Sequence, residues 1–302
     1  MRMIDRRQLM AGIIASVGLA PAPVRAINMP GAVQHRKESF SHADGRAVPL
    51  DIWTPASKGP FPLMVFSHGA NSRADKYEEL CRPLAAMGHI VIGITHADSP
   101  DHPGGGKIEM MRATALRLED MRGLIRSRAT WGADPAAKVI AAGHSYGALI
   151  AQILIGARVE AEGATRATPG DPADTDVLAA LAYSPPGEWT GIPANSWETV
   201  QRPMLVQTGT ADRLPGLADT WEKHRLSFDT TPAPAVLFVG EGVDHYFGNL
   251  ICRPERTEAP QRIQLDSALA VSQAFLKHVK AGESLTALKA MQVPMGRIEV
   301  RA

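Results

Sequence analysis

Short apolar runs closed by glycine-bearing turns alternate with helix-spaced segments along most of this chain. Pro62–Ser67, Ile90–Thr95, Lys138–Ala142, Val177–Tyr183, Pro203–Thr208 and Ala235–Val239 are continuous rather than alternating, the pattern of strands buried on both faces. Between them, Tyr77–Met87, Thr114–Arg128 and Ala148–Ile155 carry helical spacing. Residues 40 to 54 alternate around Val48, Leu50 and Ile52, which predicts an antiparallel entry hairpin. Strand and helix in alternation predict an α/β domain, a mostly parallel central sheet with helices on both faces. No internal repeat interrupts the series. Gly156 to Asp176 is polar and rich in Gly, Pro and Ala, a surface insertion too short for a large cap domain.

The first 26 residues break the pattern. Met1–Gln8 is basic, Leu9–Ala20 is an unbroken small and apolar run, and Pro21–Ala26 ends in small residues suited to cleavage. Twelve apolar residues are too few to span a bilayer, so the segment reads as an export signal and not a membrane anchor. Arg6-Arg7 ahead of Leu9 is the twin-arginine arrangement, although general secretory leaders also carry paired arginines. No cysteine follows the run to take a lipid. The expectation is therefore a signal over residues 1–26, a single catalytic domain over 27–302, and a periplasmic or secreted protein. Without Arg2, Arg6, Arg7, Arg25 and Asp5 the formal charge shifts from +1 to about −2, which points to neither nucleic acid nor a polybasic membrane contact. An aromatic content of 5% also disfavours a base-stacking surface.

Chemistry enters at Gly143-His144-Ser145-Tyr146-Gly147, which joins the run ending at Ala142 to the helical run from Ala148. A G-x-S-x-G turn between strand and helix exposes its serine at a helix N-terminus, where it can act as a nucleophile. Serine needs a base, and the base needs a carboxylate to fix its tautomer. In the expected chain order these are Asp212, in the turn after Pro203–Thr208, and His245, in the loop after Ala235–Val239. Asp244 and Glu241 are rival carboxylates; Asp244 adjoins His245 and is better suited to shaping its loop. An oxyanion hole needs two backbone N–H groups. Tyr146, after the nucleophile, supplies one, and Ala70, or alternatively Gly69, supplies the other from the loop after Pro62–Ser67. His68, His144, Tyr146 and Trp189 are expected to line the substrate cleft.

These segments resemble the serine esterases and lipases of the α/β-hydrolase fold. Phe66-Ser67-His68-Gly69-Ala70, Gly88 to Asp98 and Gly143–Gly147 are similar to the group of platelet-activating-factor acetylhydrolases, bacterial polyester hydrolases and dienelactone-hydrolase-like esterases, over residues 45 to 250. The resemblance implies ester hydrolysis through Ser145, Asp212 and His245 with no cofactor and a small-molecule ester as partner. Ser145 departs from dienelactone hydrolases proper, which use cysteine. An amidase or peptidase with the same triad, or a silent binding protein of the same fold, are the alternatives.

Other residues carry blander expectations. His96, Asp98, Asp101 and His102 lie in a Pro/Gly-rich stretch and read as a solvated loop, with no metal. Arg117 and Asp120, three apart on a helix, read as an ordinary surface pair. Trp189 and Trp197 fall on the loop after Tyr183. Cys81 and Cys252 are expected to be bridged in an exported protein.

Overall fold

Residues 32–158, 172–188 and 192–302 are described by the computed structural model. The antiparallel entry hairpin forms, but its first strand starts before the expected residues 40 to 54: β1 (Val33–Ser41) and β2 (Ala47–Pro55) pair from Val33↔Pro55 to Ser41↔Ala47. The continuous runs become β3 (Leu63–Ser67), β4 (Ile90–Ile94), β5 (Val139–His144), β6 (Val177–Tyr183), β7 (Met204–Gly209) and β8 (Ala235–Gly240). Every residue of β3, β4, β5, β7 and β8 is buried, as both-face coverage requires. They join one mixed sheet in the order β1-β2-β4-β3-β5-β6-β7-β8-β9, parallel from β4 through β8.

Alternation within the buried strands sends neighbouring residues to opposite faces. Val65, Ile92 and Ala141 pack with Leu118, Met121, Leu124, Leu149 and Phe228, from α2 (Met110–Arg126), α3 (Tyr146–Leu154) and α4 (Leu226–Thr230). Met64, Phe66, Val91 and Ile140 pack with Leu80, Leu84, Leu269 and Phe275, from α1 (Glu78–Ala86) and α5 (Arg262–Ala281). Two elements escape the sequence reading. One is α5, whose buried Leu265, Ala268, Leu269, Ser272, Phe275, Leu276 and Val279 form a helical stripe. The other is β9 (Gly296–Arg301), which closes the sheet antiparallel to β8.

The strand order places the site. β3 has β4 on one side and β5 on the other, so the chain reverses its direction of travel across the sheet between β3 and β5. Loops leaving the carboxyl ends of two such strands diverge and leave a crevice. The loops after β3 and β5 are the two that carry Ala70 and Ser145.

Candidate active site

Ser145 sits between β5 and α3 with φ 53 and ψ −120, backbone angles that an L-residue holds only under tertiary constraint. The two flanking glycines explain how the turn is tolerated. A Cβ on Gly143 would lie 2.2 Å from the Gly147 carbonyl oxygen, and one on Gly147 would lie 2.0 Å from that of Ser67. The Ser145 N–H donates to the Tyr183 carbonyl at 2.8 Å, tying the turn to the end of β6. Ser145 itself is half-buried, the rest of the elbow fully so.

Asp212 and His245, 33 residues apart, meet at 2.7 Å between Oδ1 and Nδ1. Asp212 is buried in the turn after β7 and also accepts from the Thr208 hydroxyl at 2.8 Å. Burial opposes its charge, yet His245 and His224 hold the carboxyl well below the usual carboxylate range. With Nδ1 given to Asp212, Nε2 is the ring nitrogen left for a serine proton. Asp244 does what its position suggested: its Oδ1 accepts from the N–H groups of Tyr246 and Gly248 and shapes the loop.

In the loop after β3 the two candidate donors differ: the Gly69 N–H donates to the Tyr77 hydroxyl at 2.8 Å, whereas Ala70 borders a cleft. Tyr146, at the start of α3, is fixed through its side chain: its hydroxyl donates to the Met110 carbonyl at 2.8 Å and lies 2.7 Å from the Thr114 hydroxyl. Burial pushes that phenol up to about 12. Ala70 and Tyr146 both border a cleft of about 720 Å³ that also meets Asn71, Pro100, Ile108 and Met110.

The fold has counterparts among known proteins. The sequence model of the chlorophyllase family matches residues 27–158, less than half of the chain but inclusive of the oxyanion loop and the elbow. No curated protein sequence matches significantly. Among solved structures, the esterase Est2 of Thermogutta terrifontis superposes with a TM-score of 0.59 at 17% identity, over 86% of this chain and 95% of that one. A dienelactone hydrolase from Klebsiella pneumoniae, described as putative, gives a TM-score of 0.60 at 17% identity, over 82% of this chain and 99% of that one. The fold is that of the α/β-hydrolases. At 17% identity these likenesses are likenesses of fold.

Several expectations about the site need correction. His68 and His144 do not line the cleft; both are fully buried and committed to structural hydrogen bonds. His144 Nε2 donates to the His245 carbonyl at 2.8 Å and Nδ1 accepts from the Tyr77 hydroxyl at 3.0 Å, so one neutral imidazole links the oxyanion loop to the His245 loop. Burial lowers its pKa to about 4, in keeping with that role. His68 donates from Nδ1 to the Gly69 carbonyl and accepts at Nε2 from the His96 N–H. Tyr146 does line the cleft, while Trp189, the leader and most of the insertion lie outside the described residues. Trp197 is a core residue bonded to Gln152.

His96 lies in the loop after β4 but is buried and not solvated, and Arg117 and Asp120 are buried too and are not a surface pair. Arg117 forks onto Asp98 at 2.9 and 2.8 Å, and Asp120 takes His96, His42 and Arg46. Polar side chains at spaced positions on the apolar stripe of α2, between Ala113 and Leu124, were the sequence signal for this. Cys81 and Cys252 are free and buried, not bridged. Cys81 packs on the buried face of α1, whereas the Cys252 sulfur abuts Gly69, 3.4 Å from where a Cβ there would lie.

His224 is the residue that sequence reasoning missed. Its Nδ1 donates to the Pro185 carbonyl at 2.8 Å and its Nε2 lies 3.1 Å from Asp212 Oδ1, outside hydrogen-bond alignment. Asp212, His224 and His245 bring three ligand-type atoms within 4.8 Å, the grouping among the described residues that could hold an ion. His245 Nδ1 is already engaged with Asp212 at 2.7 Å.

Proposed function

We propose that the protein is an exported carboxylester hydrolase that acts on short or medium acyl esters through an acyl-enzyme. The observation that carries the reading is the buried Asp212–His245 hydrogen bond of 2.7 Å, behind a strained Ser145 whose turn starts α3 beside the cleft. Ser145 Oγ attacks the acyl carbon while His245 Nε2 takes its proton. The N–H groups of Ala70 and Tyr146 receive the charge that develops on the carbonyl oxygen. His245 then returns the proton to the leaving alkoxide, and water repeats the cycle to release the acid. Asp212 keeps the imidazole in the Nδ1–H tautomer and stabilises the imidazolium. The cleft walls Pro100, Ile108 and Met110 offer a limited apolar surface, consistent with a short acyl group. Est2, the similar esterase of Thermogutta terrifontis, has been solved with propionate and with butyrate. Export rests on the leader over residues 1–26.

The test is a panel of p-nitrophenyl esters of graded acyl length, run beside matching anilides and with Ser145→Ala as control. Turnover is expected on the shorter esters, little on anilides, and none in the variant. Faster anilide cleavage would favour an amidase, and no turnover together with no labelling by a serine-directed probe would favour a silent binding protein. Steeply rising activity on emulsified long-chain triglycerides would contradict the short-acyl assignment.

A further inference from the structure

A second Ser–His–Asp series lies inside the molecule. The Ser67 hydroxyl donates to His96 Nε2 at 2.9 Å, and His96 Nδ1 donates to Asp120 Oδ2 at 2.8 Å. All three residues are fully buried, so none can meet a substrate. Burying three polar groups is unfavourable unless each is paired, and here each is. Asp120 is further held by Arg46 and His42, which fixes which way the His96 ring faces. Burial lowers the pKa of His96 against the pull of Asp120, and that of His68 with the Arg117 charge acting in the same direction.

The series ends where the oxyanion loop begins. Ser67 closes β3, His96 follows β4, and Asp120 lies on α2, so three elements converge just before Ala70. The His96 N–H holds His68 Nε2 at 3.1 Å, and His68 holds the Gly69 carbonyl through Nδ1 at 2.7 Å. Arg117 joins the two halves of the hole. Its Nη1 donates to the His68 carbonyl at 2.5 Å and approaches Ser67 Oγ at 3.3 Å, while its guanidinium carbon lies 4.3 Å from the centre of the Tyr146 ring. One cation therefore contacts the peptide two residues ahead of the Ala70 donor and the side chain of the residue that carries the other donor.

We propose that Ser67, His96, Asp120 and Arg117 form a positioning relay that aims the Ala70 and Tyr146 N–H groups at the oxyanion, and so governs transition-state binding without touching substrate. The proposal rests on the hydrolase reading above. Misdirecting a preorganised donor costs rate and leaves ground-state binding nearly unchanged, because charge on the carbonyl oxygen develops only in the transition state.

Ser67→Ala and Arg117→Lys test it, the first removing a single hydroxyl and the second keeping the charge while losing the planar fork. In each purified variant the active sites are titrated with a fluorophosphonate. Then kcat, KM and the inhibition constant of a trifluoromethyl ketone, whose Ser145 adduct places an alkoxide in the hole, are measured. Per titrated site, kcat is expected to fall about tenfold in Ser67→Ala and about 100-fold in Arg117→Lys. KM should stay within about twofold, and the ketone constant should rise by the same factor as kcat/KM falls. A purely structural role would lower the titrated fraction and leave these ratios unmoved, which would overturn the relay. A fall in kcat with no change in the ketone constant would also overturn it. Should Arg117→Lys fail to fold, Ser67→Ala decides alone. A wild type that turns over no ester and takes no label would instead sink the hydrolase reading.

Discussion

The molecule holds the same three side-chain types twice, once at the sheet edge and once within the fold. Ser145, His245 and Asp212 come from the loops after β5, β8 and β7; Ser67, His96 and Asp120 come from β3, the end of β4 and α2. The buried set is linked throughout by hydrogen bonds of 2.9 and 2.8 Å, and the edge set shows its Asp–His bond at 2.7 Å. What separates them is the setting. Ser145 has a left-handed φ of 53 and partial exposure, and its neighbour Tyr146 borders a cleft. Ser67 is an ordinary strand residue with no exposure. A Ser–His–Asp series becomes a nucleophile only where the backbone presents the oxygen and the surroundings can hold the charge that follows.

The sharpest break of that comparison is to delete each serine in turn. Ser145→Ala should lower kcat by about 10⁴-fold or more with the fold retained, against roughly tenfold for Ser67→Ala. Equal losses measured with one chromogenic ester would erase the distinction. The two carboxylates should then separate by kind of damage. Asp212→Asn should cost activity, about 10- to 100-fold less severely than His245→Ala. Asp120→Asn leaves Arg46 and His42 short of a buried partner and, besides the rate lost through the relay, should cost about 3 kcal/mol of stability. Urea unfolding alongside turnover would show whether each effect falls where expected.

Gly147 is the wall between the two sets, since its Cβ would sit 2.0 Å from the Ser67 carbonyl oxygen. Gly147→Ala should therefore destabilise by about 3 kcal/mol and depress kcat together. A variant as stable and active as wild type would mean that the elbow does not rest on the Ser67 backbone.

The smallest effect is acid sensitivity. Burial lowers the His144 pKa from 6.5 to about 4, so between those values the unfolded chain binds more protons than the folded one. The contribution of His144 is thus complete above pH 6.5 and lost as pH falls towards 4, about 3 kcal/mol in all. Buried His89, lowered to about 3, acts in the same direction. Urea midpoints should drop between pH 7 and 4.5; a rise would contradict neutral, buried histidines.

The chain showed its strands and edge site because both follow local rules. Buried strands read as apolar runs, and the turn at Ser145, with Asp212 and His245 after later strand ends, follows a fixed order, so the strained turn and the Asp212–His245 pair could be anticipated by position. The buried set obeys no such rule. His96 sits beside a Pro/Gly-rich stretch and looks solvated, and Arg117 and Asp120 look like a surface pair, because charged residues are seldom buried unless paired. Their partners lie 19 to 78 residues away, on elements that only the fold brings together. The same reason hid His68, His144 and His224, whose backbone partners are supplied by other loops. The Cys81–Cys252 bridge was inferred from compartment and region alone, and the packing of Cys252 against Gly69 answers to neither.

The most direct measurement is to react the protein with a fluorophosphonate and map the adduct by peptide mass spectrometry. The account predicts a single adduct, on Ser145, formed as ester turnover is lost and absent from both Ser145→Ala and His245→Ala. An adduct on Ser67, or undiminished labelling of Ser145→Ala, would contradict it.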